Sequence, residues 1–214
     1  MGLTVHGSPH STCTQRVLTA LAEKGVEADL RAINFAAAEH KRADFLKLQP
    51  FGKVPVLEDD GYFVFESRAI AKYIAKKYAG QGTKLMPDES DLKAYGLFEQ
   101  ACSIEQNYFD GPASGICFER VFKPLKGLGP TDEEVVKKHA ANLDATFAVY
   151  DGILAKQKYL AGDELTLADL FHLPYGKMVK GQGFGDIFAK YPHVNKWFDG
   201  LEARESWQKV AGGK

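Results

Sequence analysis

The chain has 214 residues, 45% hydrophobic and 26% charged, with 27 Lys and Arg against 28 Asp and Glu for a net charge of -1. Such a length suits two small cores, the composition is that of a globular protein in water, and the charge balance excludes a nucleic-acid footprint or a surface built for anionic lipid. No apolar run reaches the ~18 residues that a membrane span needs, and the opening MGLTVHGSPH lacks the charged-then-apolar order of a secretory leader. Position 6 is His where a myristoylation signal wants Ser or Thr. Cys13, Cys102 and Cys117 are odd in number and form no CxxC, so neither a disulfide framework nor a zinc site is indicated. A reduced, cytoplasmic protein with no bound metal is expected.

The first eighty residues alternate strand and helix. LTVHG (3–7) predicts a short strand; TQRVLTALAEKG (14–25) places Val17, Leu18, Leu21 and Ala22 on one helical stripe that ends at Gly25. ADLRAINF (28–35) is β-rich, and EHKRADFLKLQ (39–49) predicts a polar helix. In VPVLEDDGYFVFES (54–67) two strands meet at Asp60-Gly61, a hairpin signal. Ile70, Ala71, Ile74 and Tyr78 then share one face of a helix, giving the order βαβαββα. Pro55 opens the third strand, either as a plain edge proline or with a cis bond that leaves backbone groups to a ligand. AGQGTKLMPDES (79–90) is a linker, and beyond it only helical patterns remain, near 91–121, 132–157, 166–180 and 193–203. At the start of the third of these regions Thr166 and Asp169 form a capping box, with Leu165 and Leu170 placed as its hydrophobic staple.

Two strand-to-helix junctions draw attention. Ser11, Thr12 and Cys13 precede the first helix, and Glu66-Ser67 precede the third, so each offers free N–H groups and a hydroxyl to an anion. Taken alone, Ser11 or Thr12 is an ordinary helix cap worth ~1 kcal/mol. With Glu66 beside Ser67, and with His40-Lys41 and Gly52-Lys53-Val54-Pro55 between the junctions, the set fits one small ligand that carries an ammonium, two carboxylates and a thiol. Glutathione is that ligand.

S-x-x-x-x-R at 11–16, EHK at 39–41, QPFGKVPVLED at 49–59, FESRAIAKYIA at 65–75 and LTLADLFHLP at 165–174 together resemble the glutathione transferases, most closely the phi class of plants and fungi. The resemblance runs along the whole chain. It implies a thioredoxin-like α/β domain over residues 1–80 that binds glutathione, an all-α helical domain over 89–214 that contributes the electrophile pocket, and a homodimer. It further implies Ser11 as the catalytic serine, and His40, Lys41 and Lys53 at the glycyl end of glutathione. The Val54 backbone would meet the cysteinyl moiety before a cis-Pro55, with Glu66 and Ser67 at the γ-glutamyl end. Family geometry puts the electrophile pocket between Phe35 with the loop after the first strand and the end of the first long C-terminal helix, where Phe118 and Phe122 are candidates. Phe51 is implied as an exposed interface lock, a buried loop aromatic being the alternative. Glutathione is a co-substrate in this scheme and no cofactor is needed. Position 53 departs from the family, with Lys where Gln is usual, and so does position 13, with Cys where a small residue is usual.

Energetics agree with the role implied for Ser11. A thiol with a pKa near ~8.5 is only about 3% thiolate at pH 7, and lowering that value by ~2 units requires about 2.7 kcal/mol of preference for the anion. One hydroxyl bonded to an anion supplies ~1.5–3 kcal/mol and a helix N-terminus a further ~0.3–1. Cys13 lies about 200° around the helix from Ser11, which turns it away from the thiol. The expected activity is conjugation of glutathione to hydrophobic electrophiles, with reduction of organic hydroperoxides as a second capacity. The rivals are a non-catalytic carrier of hydrophobic ligands on the same fold and a thiol oxidoreductase working through Cys13.

Overall fold

The computed structural model describes residues 2–212. The first part of the chain runs β1 (Leu3–Gly7), α1 (Thr12–Lys24), β2 (Asp29–Ala32), a 3-10 turn (Glu39–Lys41), α2 (Ala43–Leu48), β3 (Val56–Asp59), β4 (Tyr62–Phe65) and α3 (Ser67–Lys77). The four strands form one sheet in the order β2-β1-β3-β4, with β1 parallel to β2 and antiparallel to β3, and β3 antiparallel to β4. Alternation along the strands decides what each face buries. Leu3, Val5 and Leu57 pack with Val17 and Leu21 of α1 and Ile70 and Ile74 of α3. Val56 joins Ile33 and Phe45 in a smaller cluster. This is the α/β arrangement that the resemblance implied.

The second part is helical: α4 (Leu92–Ile104), α5 (Asp110–Cys117), α6 (Lys123–Leu125), α7 (Glu133–Leu154), α8 (Leu167–Leu170), α9 (Leu173–Val179), α10 (Gly185–Ala189), α11 (Pro192–Glu202) and α12 (Glu205–Ala211). The first long helix pattern is really three helices joined by wide π-helical turns at Glu105–Phe109 and Phe118–Phe122. A proline follows each turn. Pro112 has no N–H for the carbonyl of Tyr108, four residues back, and that carbonyl instead accepts the Thr146 hydroxyl at 3.1 Å. A helix-breaking residue is thus accommodated by a partner on another helix.

Two compact units result, one made of residues up to Met86 together with those from Arg204 onward, the other of Pro87–Ala203. In the first unit α12 returns to α1, and Trp207 is buried there. The buried Glu23 carboxylate receives Arg204, Ser206 and the Thr83 hydroxyl. Burial pushes its pKa up, but these hydrogen bonds outweigh that effect and hold it below the usual carboxylate value. Residues 205–211 show no extended apolar stripe, so the sequence pattern stopped short of this helix.

In the second unit the capping box is more than a cap. Asp169 is fully buried and accepts four hydrogen bonds, from Leu160 N (3.0 Å), Thr166 N (3.0 Å), Thr166 Oγ1 (3.1 Å) and Trp197 Nε1 (3.0 Å). One carboxylate therefore ties together the 157–166 loop, α8 and α11.

Candidate functional site

Strand register decides where the chemistry-bearing segments fall. His6 pairs with Val56 and Val56 with Phe65, while Gly7 pairs with Ala32. The carboxyl ends of β1, β2 and β4 and the amino end of β3 therefore share one edge of the sheet. Ser11 follows β1, residues 33–41 follow β2, Lys53-Val54-Pro55 lead into β3, and Glu66-Ser67 follow β4. Four segments far apart in sequence open on the same edge.

Ser11 caps α1. Its Oγ accepts the Thr14 N–H at 3.3 Å, so the hydroxyl hydrogen remains available to donate. Capping and anion stabilisation are compatible in one side chain. Gly7 permits this approach: a Cβ there would sit 2.6 Å from Thr14 Oγ1, because the end of β1 abuts the first turn of α1.

Cys13 is half-buried, and Arg16 Nη1 donates toward its sulfur at 3.5 Å. Cys102 and Cys117 are buried, and burial pushes the Cys117 thiol up to about 12. Of the three thiols, Cys13 is the most accessible to solvent.

The loop before β3 is fastened from two sides. Lys41 Nζ donates to the carbonyls of Phe51 (3.2 Å) and Gly52 (2.9 Å), while the buried Gln49 accepts the Lys53 N–H on its side-chain oxygen (3.1 Å) and the Gly52 N–H on its backbone oxygen (2.9 Å). Gly52 has φ 59°, and a Cβ there would lie 2.7 Å from both His40 O and Lys41 Nζ, so this corner needs glycine on both counts. The Val54–Pro55 peptide is cis. Lys53 is exposed. The nearby acids Glu58 and Asp59 are engaged by His6 at 2.9 Å and by Tyr73 and Lys77 respectively.

On the β2 side, Glu39 accepts the Asn34 N–H at 2.9 Å, and the Phe35 ring meets the His40 ring edge-on at 4.9 Å. At the last junction Glu66 has φ 72°, a positive value unusual for a residue with a Cβ, and Ser67 is buried at the start of α3. Holding such a conformation costs ~1–3 kcal/mol, and outliers of this kind concentrate at functional sites.

The aromatics divide between the units. Phe35 is 45% and Phe51 67% exposed in the first, which disposes of a buried role for Phe51; Phe118 is 40% exposed and Phe122 half-buried in the second. Gln49 was not singled out from the sequence, where only its place before Pro50 marked it. No group of three or more His, Cys, Asp or Glu suited to a metal ion occurs among the described residues, and no helix among them is long and apolar enough to cross a membrane.

Comparison with known proteins agrees with this geometry. The model of the glutathione S-transferase N-terminal domain matches residues 1–76, and that of the C-terminal domain matches residues 85–205. Glutathione S-transferase hmp2 of Hypomyces subiculosus is 49% identical over 210 residues, covering 98% of each chain. The crystal structure of glutathione transferase F7 from Populus trichocarpa superposes with a TM-score of 0.94 at 36% identity, covering 99% of this chain and 98% of that one. Glutathione S-transferase I from maize, in complex with an atrazine glutathione conjugate, gives 0.92 at 36% identity, with 99% and 97% covered. The chain belongs to the glutathione S-transferase family. Within that family it is a phi-class enzyme, a glutathione S-transferase with a thioredoxin-like first unit.

Proposed function

We propose that glutathione lies along the shared edge of the sheet, with its thiol at Ser11, its cysteinyl backbone at Val54, its γ-glutamyl end at Glu66 and Ser67, and its glycyl carboxylate at His40, Lys41 and Lys53. In this reading residues 1–80 bind glutathione and residues 89–214 contribute the surface for the second substrate. The observation that carries it is the convergence of these segments at one edge, with the Ser11 oxygen occupied as an acceptor and its hydrogen free to donate. Ser11 stays protonated and donates to the thiolate, and the N-terminus of α1 adds its dipole. The thiolate then attacks a hydrophobic electrophile held against Phe35, Phe118 and Phe122, and organic hydroperoxides are a second class of acceptor. Proximity and stabilisation of the anion supply the catalysis, with no cofactor required. The maize relative is in complex with an atrazine glutathione conjugate, which supports glutathione conjugation as the activity. The protein acts in the cytoplasm as a homodimer, for which the Phe51 ring, 67% exposed, is the natural lock.

The test of the tripeptide's orientation is Glu66→Ala. Removing the partner of the ammonium is expected to weaken glutathione binding by about 10-fold or more, and Ser67→Ala by less. Titration calorimetry with glutathione reads both. Native affinity in Glu66→Ala overturns the orientation.

Lys53 supplies a second check. Lys41 already spends two of its N–H groups on carbonyls, leaving one for the carboxylate, so a point charge at position 53 has a large share of the work. Exposed charges are screened over a Debye length of ~8 Å in physiological salt, so the KM for glutathione should rise with ionic strength, and more steeply in the native enzyme than in Lys53→Gln. Equal slopes would return Lys53 to the solvent and leave His40 and Lys41 at that end.

A further inference from the structure

We propose that Gln49, which touches neither reacting atom, is a positioning residue for glutathione: its buried side chain fixes the Lys53 amide and thereby aims the Val54 peptide group at the cysteinyl backbone. The inference rests on the reading that places glutathione against Val54.

Gln49 is 1% exposed although it is polar and lies in a loop. A buried amide is retained where it satisfies neighbours that would otherwise be left without a partner. Here it accepts twice within its own loop, through Oε1 from Lys53 N and through the backbone oxygen from Gly52 N, and its own N–H is anchored on Phe45 O at 3.0 Å. The corner 49–53 is therefore a closed unit hung on the end of α2. Lys41 braces the same corner from outside through the Phe51 and Gly52 carbonyls.

What leaves this corner is Val54, joined by a cis peptide to Pro55, which has no N–H of its own. Neither backbone group of Val54 has a protein partner among the described residues. The Val54 amide proposed to meet the ligand is thus one residue beyond the Lys53 amide that Gln49 holds. Without the side-chain acceptor, the Lys53 amide can rotate, and Val54 swings with it.

The variant that tests this is Gln49→Met, close in volume but without an acceptor. It should raise the KM and Kd for glutathione about tenfold, while kcat at saturating glutathione and the KM for the electrophile stay within about twofold of native. Gln49→Glu, which keeps an acceptor oxygen at the same reach, should bring the glutathione KM back to within about threefold of native. A structural role alone would lower the active fraction, and so kcat, without moving KM.

Hydrogen exchange on the native enzyme gives a reading that does not depend on how the variants fold. The Lys53 amide should be protected before glutathione is added, and the Val54 amide should gain protection only on binding. A native KM in Gln49→Met, equal losses in the Met and Glu variants, or free exchange of the Lys53 amide in the unliganded enzyme each overturns the proposal. If Val54 exchange ignores glutathione and Glu66→Ala also binds normally, the placement of glutathione itself falls, and this inference with it.

Discussion

Ser11→Ala is expected to lower kcat/KM by about 10–1,000-fold, which corresponds to ~1.4–4 kcal/mol of lost transition-state stabilisation. The hydroxyl is one donor to a developing anion and the α1 N-terminus remains, so the loss should stop short of abolition. Glutathione affinity should change little, because the proposed placement holds the tripeptide's ends at other residues. The acid limb of the pH–rate profile should move upward by about 1–2 units, since the bound thiol regains a value closer to that of free cysteine. The Thr14 amide also loses its cap, so a decrease in stability of ~1 kcal/mol accompanies the kinetic effect and is measured separately by denaturant titration. An unchanged rate would take Ser11 out of the mechanism. Cys13→Ser, by contrast, should retain activity; its loss would hand the chemistry to the half-buried thiol that Arg16 contacts.

The largest effect on stability is expected at Asp169. Asp169→Ala orphans the N–H groups of Leu160 and Thr166 and the Trp197 indole N–H in one step, all of them buried. At ~1–3 kcal/mol for each buried group left unsatisfied, partly offset by relaxation, the total comes to about 3–5 kcal/mol. For a chain of this size that lowers Tm by roughly 10–15 °C. Burial pushes the Asp169 carboxyl up and the four donors offset only part of that, which is why the site tolerates no loss of partners. Calorimetric unfolding measures the change, and a Tm within a few degrees of native would reduce the carboxylate to an ordinary helix cap. Glutathione affinity in the folded fraction should be native, since Asp169 belongs to the second unit.

Local signals account for what the sequence disclosed. Gly25, the Asp60-Gly61 turn, the alternating Val and Leu of the strands and the Thr166–Asp169 box each act over a few residues, and each produced its element. The features that pattern reading missed depend on partners distant in the chain. Pro112 is accommodated within a helical run because the Thr146 hydroxyl donates to the Tyr108 carbonyl that the proline leaves free. The helix at 205–211 is held by Trp207 and by Glu23, about 180 residues earlier. Lys41, assigned from the family to a carboxylate, is found bonded to two carbonyls of a neighbouring loop, and Gln49, which opens the QPFGKVPVLED stretch, received no role from the sequence. The positive φ at Glu66 is likewise a property of the packed junction, since nothing in the residue type prefers it.

The return of residues 204–211 to α1 has a consequence for biosynthesis. The first unit is interrupted in the message by the whole coding sequence of the second unit. At roughly 5–20 residues per second, its first 86 residues wait on the order of ten seconds before Arg204, Ser206 and Trp207 leave the ribosome. Throughout that interval Glu23 is a carboxylate without its guanidinium, and the α1 surface that Trp207 will cover is open. The nascent sheet is therefore an incomplete body that a chaperone can still recognise, and the second unit, contiguous in the chain, can finish folding first. Translation pauses placed between residues 86 and 204 would lengthen this exposed stage.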